Sequence, residues 1–330
     1  MTATQGIGAW AQAQFAPMSG RHALITGAAS GIGLATAQAL AALGARLTLL
    51  DVNAEAGAHA AQSIAAESGV DVDFETLDLS DLAAVRSFCT QRPPAQVDVL
   101  VNNAGILPPL RRMTTAQGHE LAFAISVFGH FALTAGLWPR LEQQPAARVV
   151  WVSSLVHRQA RIDLDDLHSA NHYEAQRAYN QAKLASLMLA LECDARARAA
   201  GSRVTSLAAH PGVAKTGIGH SREGQPRRGL HDHLTDIAFH SVMRLLGRPP
   251  EIAARPIVQA AADATLPGGS LFGPGGPGEM LGRLRLLQPA ARARDPQARQ
   301  RLWEACERGT AIPWERSPTD QQERGDTRHD

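Results

Sequence analysis

Two scarce residue types occur four positions apart in this chain. The 330 residues include only two tyrosines and two lysines, yet Tyr179 and Lys183 fall in one stretch with a helical pattern. Residues four apart lie on the same helix face, so the phenol and the ammonium group can meet. A phenol ordinarily titrates near pH ~10, and an adjacent positive charge favours the phenolate. The pair therefore predicts a tyrosine that gives and takes a proton in a reaction.

A glycine-rich run predicts a phosphate-binding loop. The residues from Thr26 to Gly33 read TGAASGIG, after a short apolar run and before an alanine- and leucine-rich helical pattern. Glycines allow a tight turn, and backbone amides at a helix N-terminus can then approach a pyrophosphate. An ordinary tight turn is the alternative interpretation. The position between a strand and a helix favours dinucleotide binding.

A carboxylate ends the second apolar run, about 20 residues beyond the glycines. Asp51 stands where an acidic side chain accepts hydrogen bonds from the ribose hydroxyls of a dinucleotide. A 2′-phosphate would meet this negative charge, and the neighbouring Ser30, Val52 and Asn53 supply no arginine to offset it. We therefore predict NAD rather than NADP as the cofactor. The alternative for Asp51 is a turn former at a strand end.

Alternating strand and helix patterns place these residues in one architecture. Apolar runs predict strands covered on both faces, at residues 22–26, 46–50, 72–77, 97–101, 148–153 and 203–208, with a seventh near 270–272. Helical patterns lie between them, at residues 31–43, 54–68, 80–91, 115–143 and 174–200. This order predicts an α/β fold with one doubly wound parallel sheet, the Rossmann fold, and helices on both faces. Such sheets place their chemistry at the carboxyl ends of the strands.

Three segments outside this pattern set the expected boundaries. We expect residues 1–19 to be an irregular N-terminal extension, residues 20–316 to form one domain and residues 317–330 to be a polar tail. Within the domain, residues 217–250 are rich in Gly, Arg and His and too long for a simple connection. We predict that this segment is a substrate lid after the sixth strand. A surface helix packed on the core is the alternative.

Composition excludes several classes of protein. Charged residues make up 19% and the formal net charge is +1, so the sequence indicates no nucleic-acid partner. The three cysteines are isolated, and His130, His157 and His210 lack acidic or cysteine partners at ligand spacing, so we predict no metal. Neither a signal-peptide pattern nor a long uninterrupted apolar run stands out, so we expect no membrane span and a cytoplasmic location.

Taken together, the motifs resemble those of the short-chain dehydrogenase/reductase family, from about residue 22 to residue 308. The similarity rests on the order and spacing of the glycine-rich run, Asp78-Leu79, Asn102-Asn103-Ala104-Gly105, Ser153-Ser154, Tyr179 with Lys183, and His210-Pro211-Gly212 with Thr216. The resemblance implies that Tyr179 is the general acid/base and that Lys183 also holds the nicotinamide ribose. It further implies that Ser154 hydrogen-bonds the substrate oxygen, with Ser153 as the competing candidate.

The same resemblance implies a set of cofactor contacts along the strand ends. Asp78 and Leu79 look like contacts at the edge of the adenine, and residues 103–105 like contacts to adenine and ribose. The full set of expected cofactor residues is Gly27, Ser30, Gly31, Ile32, Gly33, Asp51, Asp78, Leu79, Asn103, Ala104, Gly105, Tyr179, Lys183, Val213 and Thr216.

One position departs from the family pattern. Family members usually carry an asparagine where this chain has Ser126, and that asparagine bends its helix and frees a backbone carbonyl that holds a proton-relay water. Ser126 is therefore a candidate catalytic position. A serine can hydrogen-bond to its own helix backbone and bend it slightly, and the carbonyl belongs to the main chain. The alternative hypothesis is an NAD-binding sensor with lost or weak turnover.

A long separation between Ser154 and Tyr179 resembles the retinol-dehydrogenase-like branch, as do Gly129-His130-Phe131 and Arg301-Leu302-Trp303-Glu304. By analogy, that branch implies an apolar substrate. We therefore expect an NAD(H)-dependent oxidoreductase that transfers hydride between the nicotinamide and a secondary alcohol, ketone or aldehyde carbon. Its expected partner is a small-molecule alcohol or carbonyl compound, and a homo-oligomer is left open.

Overall fold

The chain folds around one β-sheet, in a computed structural model that describes residues 6–214, 247–312 and 314. The strands are β1 (His22–Thr26), β2 (Arg46–Asp51), β3 (Val72–Thr76), β4 (Val99–Asn102), β5 (Arg148–Val152), β6 (Thr205–Ala209), β7 (Leu271–Pro274) and β8 (Leu284–Leu287). Their order across the sheet is β3-β2-β1-β4-β5-β6-β7-β8. The first seven are parallel, which confirms the predicted doubly wound Rossmann sheet.

Helices cover both faces of this sheet. They are α1 (Ile7–Gln12), α2 (Gly31–Ala42), α3 (Ala54–Ser68), α4 (Leu82–Gln91), α5 (Leu121–Phe123), α6 (His130–Glu142), α7 (Ala175–Ala199), α8 (Pro250–Ala253), α9 (Arg255–Ala262), α10 (Ala291–Arg294) and α11 (Pro296–Thr310). One core cluster packs α1, α2, α3 and α9 against the sheet. A second cluster packs α4, α6, α7 and α11 against the opposite face. The sheet is therefore the middle layer of three.

The central strands are apolar on both sides because both sides are covered. Every residue of β1, β4 and β5 is buried, which is the pattern expected for a parallel sheet between two helical layers. The edge strand β8 differs, because it runs antiparallel to β7 and its middle residues Arg285 and Leu286 are exposed. The sequence predicted a purely parallel sheet and did not predict β8.

The N-terminal segment differs from the irregular extension that we expected. Residues 7–12 form α1, and Ile7 and Trp10 are buried against α2. The Trp10 ring stacks edge to face on Phe15 at 5.6 Å, and the Arg255 guanidinium carbon lies 4.9 Å from its centre. These contacts add a short helix to one face of the domain.

Within the part of the chain that the structure describes, one helical segment has the length and composition that a membrane crossing requires. It is Leu121–Glu142, and 78% of its apolar stretch is buried inside the fold. Length and composition alone are weak evidence for a crossing, because the core helix of a soluble protein has the same features. The expected lack of a membrane span and the expected cytoplasmic location stay predictions.

Two of the sequence-based expectations lie largely outside the described residues. The lid segment is described only over 247–250, where Arg248 donates its N–H to the Val213 carbonyl (2.9 Å). The polar tail at 317–330 also lies outside them. The lid and the domain boundaries therefore stay predictions.

The packing of Trp10 makes the contribution of α1 measurable. We expect Trp10→Ala to lower the free energy of unfolding by about 3 kcal/mol, because it empties a buried aromatic site. Gln14→Ala is the control, since Gln14 is exposed in the same segment and should change stability by less than about 0.5 kcal/mol. Urea unfolding measures both. Equal midpoints for the two variants would mean that α1 adds nothing to the folded domain.

Candidate active site

A cavity of about 520 Å³ opens at the carboxyl ends of the parallel strands. It lies where the chain order reverses between β1 and β4, the position at which doubly wound sheets bind ligands. Most of the predicted site residues line it: Gly27, Ser30, Gly31, Ile32, Gly33, Asp51, Asp78, Leu79, Asn103, Ala104, Gly105, Ser154, Tyr179, Lys183 and Val213. Two predicted residues are not in this lining. Ser126 is buried behind it, and Thr216 lies outside the described residues.

The glycine-rich run forms a tight turn between β1 and α2. Gly27 and Gly31 have positive φ values of 64° and 57°, a region that favours glycine. A side chain at Gly33 would collide with the Gly27 carbonyl oxygen, so only hydrogen fits there. The first residues of α2 consequently line the cavity with backbone N–H groups at a helix N-terminus. This arrangement fits the pyrophosphate of a dinucleotide.

The carboxylate of Asp51 is held in place by backbone amides. One oxygen accepts the N–H of Ala29 (2.9 Å) and the other accepts the N–H of Asn53 (3.0 Å). Each carboxylate oxygen retains capacity for a further hydrogen bond. Asp51 therefore presents two fixed acceptors at the wall of the cavity, which suits a pair of ribose hydroxyls.

The side chain of Thr26 joins the glycine-rich turn to the end of β4. Its hydroxyl oxygen accepts the N–H groups of Asn103 (2.9 Å) and Ala104 (3.0 Å). Asn103 in turn donates its side-chain amide to the carbonyl oxygens of Thr26 (2.8 Å) and Gly27 (3.2 Å). The Asn103 side chain thus stabilises the glycine-rich turn through two hydrogen bonds. Gly105, two residues further along the chain, lines the cavity.

Tyr179 and Lys183 lie one turn apart on α7, and both side chains line the cavity. The Lys183 ammonium is buried and donates to the Val152 carbonyl oxygen at 3.1 Å. Burial lowers the pKa of Lys183 to about 8. A side chain at Gly105 would come within 3.2 Å of this ammonium, so the glycine leaves room for it.

The hydroxyl groups of the two adjacent serines after β5 make different hydrogen bonds. Ser153 donates its hydroxyl to the Lys183 carbonyl oxygen (2.8 Å), which fixes α7 against the end of β5. Ser154 accepts only a long hydrogen bond of 3.5 Å from the Val156 N–H, as far as the described residues go. Ser153 is therefore committed to the fold, whereas Ser154 retains a hydroxyl that can reach a substrate oxygen.

Ser126 lies in a π-helical turn, Ala124–Gly129, between α5 and α6. Its carbonyl oxygen lies 3.2 Å from the Ser186 hydroxyl and 3.1 Å from His130 Nδ1. Because a carbonyl only accepts, His130 must carry its proton on Nδ1, and its Nε2 then accepts from the Thr26 hydroxyl at 2.9 Å. Burial lowers the pKa of His130 to about 3, so the ring is neutral. His130 thereby ties the Ser126 peptide to the glycine-rich turn.

Other residues complete the cavity wall. Leu155, Val156 and Gln176 line it, and they belong to the segment 155–178 that the sequence suggests as pocket wall. Leu107 also lines it and was not predicted from the sequence. The position of His157 just beyond Ser154 also predicts a pocket-lining side chain, but the structure contradicts this, because His157 is fully buried and does not line the cavity. Its Nδ1 donates to the Ser154 carbonyl oxygen at 2.8 Å.

Comparisons with known proteins agree with this geometry. The human protein named retinol dehydrogenase 13 is 33% identical over 293 residues, covering 87% of this chain and 84% of that protein. The mouse protein named polyprenol dehydrogenase is 36% identical over 295 residues, covering 87% and 83%. A crystal structure of an uncharacterised protein from Mycobacterium paratuberculosis is 34% identical, with a TM-score of 0.75, over 92% of this chain and 98% of that one.

A match to a whole family covers most of the chain. Residues 21–226 match the family described as short chain dehydrogenase. The matched region contains the glycine-rich turn, Ser154, Tyr179 and Lys183. The chain therefore belongs to the short-chain dehydrogenase/reductase family, in its retinol-dehydrogenase-like branch.

Proposed function

We propose that this chain is an NAD(H)-dependent oxidoreductase with Tyr179 as the general acid/base. It interconverts a secondary alcohol and its ketone, or an alcohol and its aldehyde. Family membership already makes it an oxidoreductase of CH–OH groups that binds a nicotinamide dinucleotide. The proposal adds the choice of cofactor, the roles of the residues and an apolar substrate. Its main support is one cavity lined by Ser154, Tyr179, Lys183, Asp51 and the glycine-rich turn.

The residues can carry the proton while the dinucleotide carries the hydride. A nicotinamide dinucleotide held by the glycine-rich turn and Asp51 would supply the hydride acceptor for alcohol oxidation and the hydride donor for carbonyl reduction. Tyr179 takes the hydroxyl proton in the oxidative direction, and the Lys183 ammonium favours the phenolate that does so. Ser154 donates a hydrogen bond to the substrate oxygen, which orients it toward the phenol.

The substrate side of the cavity favours apolar molecules. Leu107, Leu155, Val156, Val213 and Ala214 are among the apolar residues that line the described part of the cavity. Such a wall binds hydrocarbon by removing apolar surface from water. The polar residues that line the cavity beside them include Ser154, Tyr179 and Lys183, which the proposal assigns to proton transfer, and Gln176.

Removing the Tyr179 hydroxyl tests the proposed chemistry. We expect Tyr179→Phe to lower kcat at least about a hundredfold, because general acid/base catalysis is lost, while the dissociation constant for NADH stays within a few-fold. NADH formation with a panel of secondary alcohols measures turnover, and fluorescence titration measures binding. Tyr173→Phe is the matched control, since Tyr173 donates its hydroxyl to the Pro109 carbonyl (2.6 Å). Tight NADH binding without turnover in the wild-type protein would favour the sensor hypothesis.

The fixed carboxylate of Asp51 predicts the choice of cofactor. We expect NAD to be preferred over NADP by about one to three powers of ten in kcat/KM, or about 1.4 to 4 kcal/mol. Val52 is 65% exposed beside the cavity, so an arginine there can reach a 2′-phosphate. Asp51→Ala with Val52→Arg should narrow or invert the preference, whereas Val52→Ala alone should leave it. Equal kcat/KM values for both cofactors in the wild-type protein would overturn this prediction.

Ser126 should tolerate the residue that the family usually carries. We expect Ser126→Asn to change kcat by less than about tenfold, or about 1.4 kcal/mol of barrier. The reason is that His130 and Ser186, rather than the side chain at position 126, hold the main-chain carbonyl. Steady-state kinetics checks this, with the melting temperature as a control for folding. A thousandfold gain would identify the natural chain as a crippled catalyst.

A further inference from the structure

A buried glutamate lies between two loops of the active site. Glu279 ends the short 3-10 turn Pro277–Glu279, after β7, and is only 5% exposed. Its backbone has a φ of 57°, a left-handed conformation that costs a non-glycine residue energy. A residue persists in that conformation when its surroundings hold it there. Two basic side chains supply the contacts that do so.

The first contact of Glu279 is with His210, in the turn after β6. His210 Nδ1 accepts the Gly212 N–H at 3.2 Å, so the proton of the neutral ring lies on Nε2. That nitrogen lies 3.3 Å from a Glu279 oxygen. A side chain at Gly273 would come within 2.7 Å of His210 Nε2, so the glycine on β7 leaves the room that this contact needs.

The second contact is an ion pair with Arg158, on the turn that follows Ser154. Burial alone would raise the pKa of the Glu279 carboxyl, but His210 and Arg158 outweigh burial and lower it to about 2. The carboxylate is therefore charged at neutral pH. A charged group inside a protein is retained only where its partners compensate for lost hydration. Arg158, through an ion pair, and His210, through a contact of 3.3 Å, are the partners that face this carboxylate.

These contacts connect the two sides of the catalytic cavity. Arg158 and His157 belong to the 3-10 turn Leu155–Arg158, and His157 Nδ1 donates to the Ser154 carbonyl at 2.8 Å. On the other side, Pro211 and Gly212 line the cavity directly after His210. Glu279 touches neither the cavity nor Ser154. It acts through the turns that carry them.

We propose that Glu279 is a positioning residue, which sets the Ser154 hydroxyl relative to the 210–213 turn by holding Arg158 and His210 at the same time. The inference rests on the proposed function, because it assigns Glu279 to the reaction through Ser154. A metal does not explain the cluster, since the described residues contain no group of three or more His, Cys, Asp or Glu side chains suited to an ion.

A double-mutant cycle distinguishes positioning from simple stability. Glu279→Gln keeps the shape of the side chain but removes its charge, and we expect kcat to fall about tenfold or more while the dissociation constant for NADH stays within about threefold. In a Ser154→Ala background the same change should lower kcat by less than about threefold, because the group that Glu279 positions is gone. The melting temperature of each variant accompanies the kinetics.

A matched control is available on α7. Glu192 is likewise buried and pairs with two arginines, Arg196 at 2.9 Å and Arg299 at 3.3 Å. Unlike Arg158 and His210, these arginines lie far along the chain from any residue that lines the cavity. Glu192→Gln should lower the melting temperature about as much as Glu279→Gln and leave kcat within about twofold. Equal losses of kcat in the two glutamine variants would overturn the proposal.

Two further results keep the test decisive. Equal losses from Glu279→Gln with and without Ser154 would overturn the positioning role, because the two side chains would then act independently. If Glu279→Gln does not fold, Arg158→Met replaces it in the same cycle, since the Arg158 side chain is 49% exposed. If Ser154→Ala alone leaves kcat unchanged, the proposed function of Ser154 fails, and that result is separate from any effect of Glu279.

Discussion

The ammonium group of Lys183 is the constraint around which the rest of the site is arranged. It is buried, and burial is the only influence that lowers its pKa among the described residues. Removing an ammonium from water costs several kcal/mol unless other groups compensate. The Val152 carbonyl compensates in part, Ser153 fixes the backbone of the lysine, and Gly105 leaves space beside it. Lysines are rarely buried, so the burial of Lys183 fits the role in catalysis that we propose for it.

A second arrangement fixes the distance between the cofactor end and the catalytic end of the cavity. Thr26, at the end of β1, receives two backbone N–H groups from the end of β4 and contacts the neutral His130 ring. His130 extends this chain of hydrogen bonds to the Ser126 carbonyl. Buried polar networks of this kind are rigid when every member has a partner. These hydrogen bonds therefore join the glycine-rich turn to the π-helical turn.

The sequence predicted the elements that have a periodic apolar pattern. It did not predict features that depend on single contacts between residues far apart in the chain. The seven parallel strands could be predicted because residues such as those of β1 and β5 are apolar on both faces. The short strand β8 and helix α1 carry little periodicity, so neither was foreseen. At the site, the strand ends predicted most of the cavity lining. Glu279 could not be found this way, because its partners lie 69 and 121 positions away in the chain.

The number of residues in the π-helical turn Ala124–Gly129 determines which side chains of this segment face the active site. Such a turn holds an extra residue, and each residue of an α-helix rotates the chain by about 100°. Ile125 consequently lines the cavity while Ser126 lies buried behind it. Loss of one residue here would leave the apolar pattern of α6 intact but turn everything upstream of it by that angle. Insertions and deletions, usually harmless where a helix meets a loop, are thus constrained here by geometry rather than by stability.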